Sequence, residues 1–254
     1  MTDFKVVIPA RYSSSRLPGK PLLDVVGKPM IQHVYERALE SDASQIVIAT
    51  DDQRIVDVVK QFGGEVCMTS VNHQSGTDRL SEVVNFYQWD HQDIIVNVQG
   101  DEPEMPASLI NQVANDMASH PDAVITTLSV DIDSLEDVMD PHIVKVVTDQ
   151  KGYAQYFSRA PIPWHRNELA ENPVALEDLS LFARHVGLYA YRAGFLHKYV
   201  QWEAAPTEKA ESLEQLRVLW HGEKIHVSHT DQSPGIGIDT QADLDRVNSL
   251  MRKD

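Results

Sequence analysis

A chain of 254 residues, 42% of them apolar, supports one sizeable core, since a chain of this length buries roughly 70–75% of the surface its unfolded form exposes. Its 38 acids against 22 bases give a formal net charge of −16, which repels a polyanion unless a local basic patch overrides the mean, so nucleic acid is set aside as a partner. The single cysteine, Cys67, excludes an internal disulfide, and no run approaches the roughly 20 apolar residues of a membrane-spanning helix. With an apolar strand rather than a signal peptide at the N-terminus, a reducing cytoplasmic setting with no membrane partner is expected.

Short apolar runs alternate with longer amphipathic stretches. Phe4 to Ile8 reads as a strand, Met30 to Leu39 as a helix, Gln45 to Ala49 as a strand, Arg54 to Phe62 as a helix and Glu65 to Met68 as a strand, with Gly63-Gly64 as the stop between the last two. A helix over Thr77 to Phe86, a strand over Ile94 to Val98, a helix over Ala107 to Met117 and a strand over Ala123 to Val130 continue the rhythm. The strands are continuous apolar runs, as expected when helices cover both faces of a sheet. The pattern predicts an α/β fold, a doubly wound and mostly parallel three-layer sheet of Rossmann-like type.

From about Leu135 to Pro206 the order loosens: Pro141, Pro161, Pro163 and Pro173 interrupt short segments, and Glu168 to Asp178 is acidic and poorly patterned. An inserted lid or dimerisation subdomain is expected over about 135–206, within a single domain whose core is about 1–134 and 207–254. Regularity returns with a helix from Glu208 to Trp220 and a strand from Lys224 to Val227. The last helix is N-capped by Thr240, with Asp243 three residues on as a variant capping box. The tail is expected to rejoin the first sheet.

The strongest chemical signal is Ile-Pro-Ala-Arg-Tyr-Ser-Ser-Ser-Arg-Leu-Pro-Gly-Lys-Pro-Leu at residues 8–22, which leaves the first strand at its carboxyl end, where open α/β sheets bind ligands. Between Phe4 and Leu23 stand four cations, Lys5, Arg11, Arg16 and Lys20, and no acid. Ser hydroxyls, backbone N–H groups, Arg forks and a Lys point charge suit a triphosphate, although the segment alone is also compatible with a solvated basic loop. A Walker loop is excluded because Gly19-Lys20 is followed by Pro21, and the dinucleotide fingerprint because its glycines are missing. Kinase, GTPase and dehydrogenase readings weaken accordingly.

A second strand ends at Gly100 and presents Asp101 at the same sheet edge, where a carboxylate suits Mg²⁺, an ion that binds through one or two carboxylates plus substrate phosphates. Alone, Asp101 reads equally as a turn residue. Gly235-Ile-Gly-Ile-Asp239-Thr240 places another Asp at the end of a short apolar run. The eleven histidines include no His-x-x-x-His pair beside an acid, which argues against a zinc hydrolase.

With His73-Gln-Ser-Gly-Thr-Asp-Arg79, Val96-Asn-Val-Gln-Gly-Asp-Glu-Pro103, Tyr156-Phe-Ser-Arg-Ala160, Arg184-His-Val-Gly-Leu-Tyr189, Leu213-Glu-Gln-Leu-Arg217 and Gly237-Ile-Asp-Thr240, the chain resembles the 3-deoxy-manno-octulosonate (KDO) cytidylyltransferases over essentially its whole length. The resemblance implies a homodimeric nucleotidyltransferase with CTP and KDO as substrates and Mg²⁺ as cofactor. It would move CMP to the anomeric hydroxyl of KDO, release pyrophosphate and so activate KDO for lipopolysaccharide synthesis. It further implies that Arg11, Ser14, Arg16 and Lys20 bind the CTP phosphates, that Ser75, Gly76, Arg79 and Gln99 line the cytidine side, and that Asp101 and Asp239 hold Mg²⁺. Arg11, Lys20, Asp101 and Asp239 would be the catalytic set. Arg159, His185, Tyr189, Glu214 and Gln215 would meet the sugar acid. Without the resemblance, His185 and Tyr189 read as packed residues of an apolar strand and Arg159 as a surface residue. Other acceptors, such as 8-amino-KDO or a sialic acid, stay open, as do a nucleotide-binding regulator without turnover and a dehydrogenase on a similar sheet.

Overall fold

The computed structural model of the chain describes residues 2–13, 17–73, 75–166, 169 and 178–252. Strand β1 (Phe4–Ala10) is the centre of the sheet, and Val6, Val7 and Ile8 are all fully buried because both its faces are covered. After it come the small hairpin β2 (Asp24–Val25) and β3 (Lys28–Pro29), then α1 (Met30–Leu39), β4 (Gln45–Thr50), α2 (Gln53–Gln61) and β5 (Glu65–Met68). The chain continues through α3 (Gly76–Tyr87), β6 (Ile94–Asn97), α4 (Ala107–Ser119) and β7 (Ile125–Asp131). Asp52 starts α2 by accepting from the Arg54 N–H, and Ser75 starts α3 in a reciprocal capping box with Asp78. Each cap satisfies backbone donors that the first turn cannot pair internally.

The second half contributes α5 (Leu135–Met139), β8 (Lys145–Thr148), β9 (Ala154–Ser158), β10 (Ala183–Arg192), α6 (Ala193–Tyr199), α7 (Pro206–Glu211), α8 (Gln215–Trp220), β11 (Ile225–His229) and α9 (Gln241–Met251). The strand order is β11-β7-β10-β6-β1-β4-β5, with β8 and β9 attached through β10. β1 pairs in parallel with both β4 and β6, so the chain reverses its direction of travel across the sheet between these neighbours. Such a switch point opens a crevice at the strands' carboxyl ends. β10 runs antiparallel between β6 and β7, so the mostly parallel sheet has one inverted strand near its middle.

Two apolar layers sandwich the sheet. Val6 and Ile8 face Ile31, Leu109 and Ile110, while Val7 and Ile95 face Leu80, Phe157 and Leu196. Alternate residues of one strand therefore serve opposite cores, and each fully buried aliphatic side chain contributes about 1.5–3 kcal/mol. Cys67 is buried in the second layer, where desolvation pushes its thiol up to about 11. No helix among the described residues is long and apolar enough to cross a membrane.

Two expectations from the sequence need adjustment. The span of about 135–206, expected as an insertion, includes β10, an integral strand of the sheet, so its last part belongs to the core. The helix expected over Glu208 to Trp220 is two helices, because Ser212 turns left-handed at φ 54 and breaks the hydrogen-bond ladder without a glycine or proline to announce it. The tail rejoins the sheet as expected, since β11 pairs in parallel with β7, after which α9 and Ile238 pack on Leu17, Val25 and Met30 beside the loop after β1.

Candidate active site

Three segments converge at the carboxyl edge of β1 and β6. The loop after β1 closes where the Gly19 N–H donates to the Tyr12 carbonyl at 3.0 Å. Gly19 adopts φ +70, and a Cβ there would lie 3.1 Å from the Tyr12 ring, so glycine suits both the backbone and the space. It leads into a short helical turn, Lys20–Leu22, from which Lys20 reaches back across the sheet edge. The end of β6 comes so close to β1 that a Cβ on Gly100 would stand 2.8 Å from the Pro9 carbonyl. From the tail, the Ile238 N–H donates to the Asp101 carbonyl at 2.9 Å and sets Asp239 beside Asp101.

The result is one ammonium between two carboxylates: Lys20 Nζ donates to Asp101 Oδ2 at 2.6 Å and to Asp239 Oδ1 at 2.9 Å. Two carboxylates converging on one small cation are the donor set of a hard divalent ion, so Mg²⁺ fits these residues. Glu102 follows Asp101, and its Oε2 is enclosed without a hydrogen-bond partner. Burial, reinforced by the Asp101 charge, pushes its carboxyl up to about 8.

A cavity of about 500 Å³ runs from Asp101 and Asp239 along the sheet to β10 and α8, a size suited to a small-molecule ligand. Gly76 and Thr77, at the amino end of α3, form part of its rim. Its far wall carries His185 and Tyr189, both half-buried. His185 faces Thr127 Oγ1 at 3.0 Å, while that hydroxyl also lies 3.0 and 2.8 Å from the Val186 and Leu188 carbonyls. Those carbonyls take the single hydroxyl proton, so His185 donates from Nε2 and keeps Nδ1 as its acceptor. Desolvation pushes this imidazole down to about 3, so it is neutral at physiological pH. Burial likewise raises the Tyr189 phenol well above its ordinary value, and it raises the Glu214 carboxyl against an opposing hydrogen bond from Thr77.

A model of the cytidylyltransferase family matches residues 5–225. The 3-deoxy-manno-octulosonate cytidylyltransferase of Photobacterium profundum is 56% identical over 249 residues, covering 98% of this chain and 99% of the relative. That of Aliivibrio salmonicida is also 56% identical over 249 residues, with the same coverage. A solved structure of CMP:2-keto-3-deoxy-manno-octonic acid synthetase complexed with CTP superposes with a TM-score of 0.89 at 44% identity, over 100% of this chain and 99% of the other. The chain belongs to the 3-deoxy-manno-octulosonate cytidylyltransferase family.

In this KDO cytidylyltransferase framework, the residues named from the sequence fall into three groups. Gly76, Gln99, Asp101, Asp239, His185, Tyr189, Glu214 and Gln215 all line the cavity. Arg11 and Lys20 leave β1 at the same edge, whereas Ser14 and Arg16 lie outside the described residues. Ser75 is engaged in capping α3, its hydroxyl accepting from the Asp78 N–H at 3.1 Å.

Arg79 and Arg159 stand apart. Arg79 is fully buried, donating to Asp51 Oδ2 at 2.7 Å and to the Thr69 hydroxyl, so it braces α3 against the end of β4 instead of lining the cavity. Arg159 donates from Nε to the Glu211 carbonyl at 2.7 Å and from Nη1 to the Pro141 carbonyl at 2.9 Å. It ties together the backbones behind the wall formed by His142, Ile143 and Ser212. Lys145 completes that tie, its buried ammonium donating to the carbonyls of Asp140, Ile143 and Arg159 at 2.8, 2.6 and 2.7 Å.

Two wall residues escape the sequence reading. Asn97 is 4% exposed, and its Oδ1 has no hydrogen-bond partner, although it forms part of the cavity. An unpaired buried acceptor costs about 1–3 kcal/mol, which a ligand donor relieves. Its signal is a polar residue inside the apolar run Ile-Ile-Val-Asn-Val. Arg184, at the start of β10, brings the one guanidinium among the lining residues.

Proposed function

We infer that this protein transfers CMP from CTP to the anomeric hydroxyl of KDO and releases pyrophosphate. The observation that carries the reading is a single cavity with a Lys20–Asp101–Asp239 cluster at one end and a half-buried, hydrogen-bonding wall at the other. The sugar hydroxyl attacks the α-phosphorus in line, and pyrophosphate leaves on the opposite side. Phosphoryl chemistry of this kind asks the protein chiefly for positioning and charge neutralisation. Lys20 and Arg11, with Ser14 and Arg16 in the same loop, set positive charge and donors against the phosphates.

Asp101 and Asp239 would hold Mg²⁺, which when bound neutralises phosphate charge and acidifies a nearby hydroxyl. Gly76 and Gln99 serve the nucleotide side. Neutral His185, protonated Tyr189, Glu214 and Gln215 offer donors and acceptors to the sugar hydroxyls without a competing positive charge. Arg184 is the cation within reach of this wall for the sugar's carboxylate, and Arg159 supports the wall from behind. The transfer yields the activated sugar used for lipopolysaccharide synthesis, and KDO is favoured over other sugar acids by the named relatives.

The protein works in the cytoplasm as a homodimer in this reading. The exposed Trp164 and Leu181, each 57% open, support a subunit contact on the lobe that carries β8 and β9. Pyrophosphate release with CTP, Mg²⁺ and KDO tests the reaction: turnover that needs all three is expected. Full turnover in excess EDTA, or none with KDO but turnover with another sugar acid, overturns it.

A further inference from the structure

A group of potential metal-ligating side chains lies under α4, on the face of the sheet opposite the sugar wall. Along β11, Ile225 and Val227 enter the core layer shared with Leu80 and Phe157, which turns His226 to the other face. There it meets the last turn of α4 and the helix's C-cap residue, His120. Asp116 Oδ2 lies 2.7 Å from His226 Nδ1, and Asp116 Oδ1 lies 3.0 Å from His120 Nδ1. The two imidazoles stack with centroids 3.6 Å apart and planes 15° from parallel. One ligand atom from each of the three residues falls within 4.8 Å of the others, and none of the three lines the active-site cavity.

We propose that Asp116, His120 and His226 form a second metal site, for a divalent transition ion such as Zn²⁺. Both rings turn the same nitrogen, Nδ1, towards one carboxylate, so three potential ligand atoms share a small space that one ion would fill. The donor set of two imidazoles and one carboxylate suits Zn²⁺ and its neighbours rather than Mg²⁺, which prefers oxygen alone. The carboxyl end of α4 adds the negative end of the helix dipole, and the Asp116 carbonyl itself lies 3.0 Å from His120 Nδ1.

Two ligands are held firmly. The side chains of Asp116 and His226 are only 10% and 9% exposed, and Gly152 packs so close that a Cβ there would stand 2.7 Å from His226 Nε2. The third adjusts: His120, 31% exposed at a non-helical C-cap, tilts out of the stack to aim its lone pair at the ion and leaves room for water as a fourth ligand. On binding, each neutral ring carries its proton on Nε2 and presents Nδ1 unprotonated. The ion would then clamp the end of α4 to β11 and stabilise the folded chain by mass action.

The test uses full-length protein without an affinity tag, stripped of metal and kept in excess Mg²⁺ so that Asp101 and Asp239 are engaged. Titration with Co²⁺ is expected to give a visible d–d band saturating at one equivalent, reversed by Zn²⁺, with a rise in melting temperature. His120→Ala removes a partly exposed ligand with little risk to folding, and His226→Asn removes a buried one. Since losing an outer-shell partner alone costs about 10–100-fold in metal affinity, each variant is expected to lose at least that much. Circular dichroism identifies a variant that has not folded, and His120→Ala then decides. Absence of a band in the wild type, or a band and affinity unchanged in folded His120→Ala, overturns the proposal.

Discussion

The two ends of the cavity hold their side chains by different means. At the β1–β6 edge, opposite charges meet within 3 Å, and the Asp101 and Asp239 side chains remain 35% and 47% exposed, so water and ions reach them. On the far wall, His185 and Tyr189 are half-buried, and desolvation keeps both uncharged. Charge that can be exchanged suits a ligand that arrives with its own charges, such as a triphosphate. Neutral hydrogen-bonding groups such as His185 and Tyr189 suit hydroxyls, which need direction more than charge.

Breaking the charged end is expected to have the largest effect. Asp101→Asn and Asp239→Asn keep shape and remove charge, and each should lower kcat by about 10²–10³, the size of one lost preorganised contact to a transition state. Melting temperature without Mg²⁺ should hardly move, because partly exposed pairs contribute only about 0–1 kcal/mol. The double variant should lose less than the sum, as groups holding the same ion act together. Near-normal kcat in either single variant removes that residue from the site.

The far wall breaks differently. Arg159→Ala releases the Pro141 and Glu211 carbonyls behind it, so KM for KDO is expected to rise while CTP binding holds, and stability is expected to fall by about 1.5–3 kcal/mol as charge-assisted contacts are lost. Weakened CTP binding with an unchanged KM for KDO would erase the division between the two ends.

A separate readout sharpens the comparison through pH. The value of His185 in the folded chain, about 3, lies below the ordinary ~6.5, so between the two the unfolded chain binds more protons. The stability linked to this residue is therefore full above ~6.5 and is lost as pH falls towards 3. His185→Gln keeps a donor for Thr127 and should flatten the melting temperature against pH in that window. An unchanged slope would mean that the ring is not desolvated.

Features that announce themselves within a few residues were legible beforehand. The run 8–22 combines a strand end with segregated cations, Asp101 and Asp239 each close an apolar run, and Thr240 caps the last helix with Asp243 as read. Long-range or unmarked features were not. Ser212 breaks a helix in an αL conformation that no glycine or proline signals, yet that break starts α8 afresh at Gln215, beside Glu214 on the cavity wall. Arg79 belongs to a motif with a functional resemblance, but only the fold shows Asp51 and Thr69 enclosing it. The absence of a His-x-x-x-His pair said nothing about His120 and His226, which come from a helix end and a distant strand.

The inverted strand β10 imposes an order of assembly on a chain leaving the ribosome. β1, β4, β5 and β6 are all made by Asn97, but β7 ends at Asp131 and the strand that joins it to them does not begin until Ala183. At about 5–20 residues per second, β7 waits for seconds with both edges unpaired, an exposure that invites association with other chains. Asp239 arrives later still, so the Lys20–Asp101–Asp239 cluster is completed only when nearly the whole chain has been made.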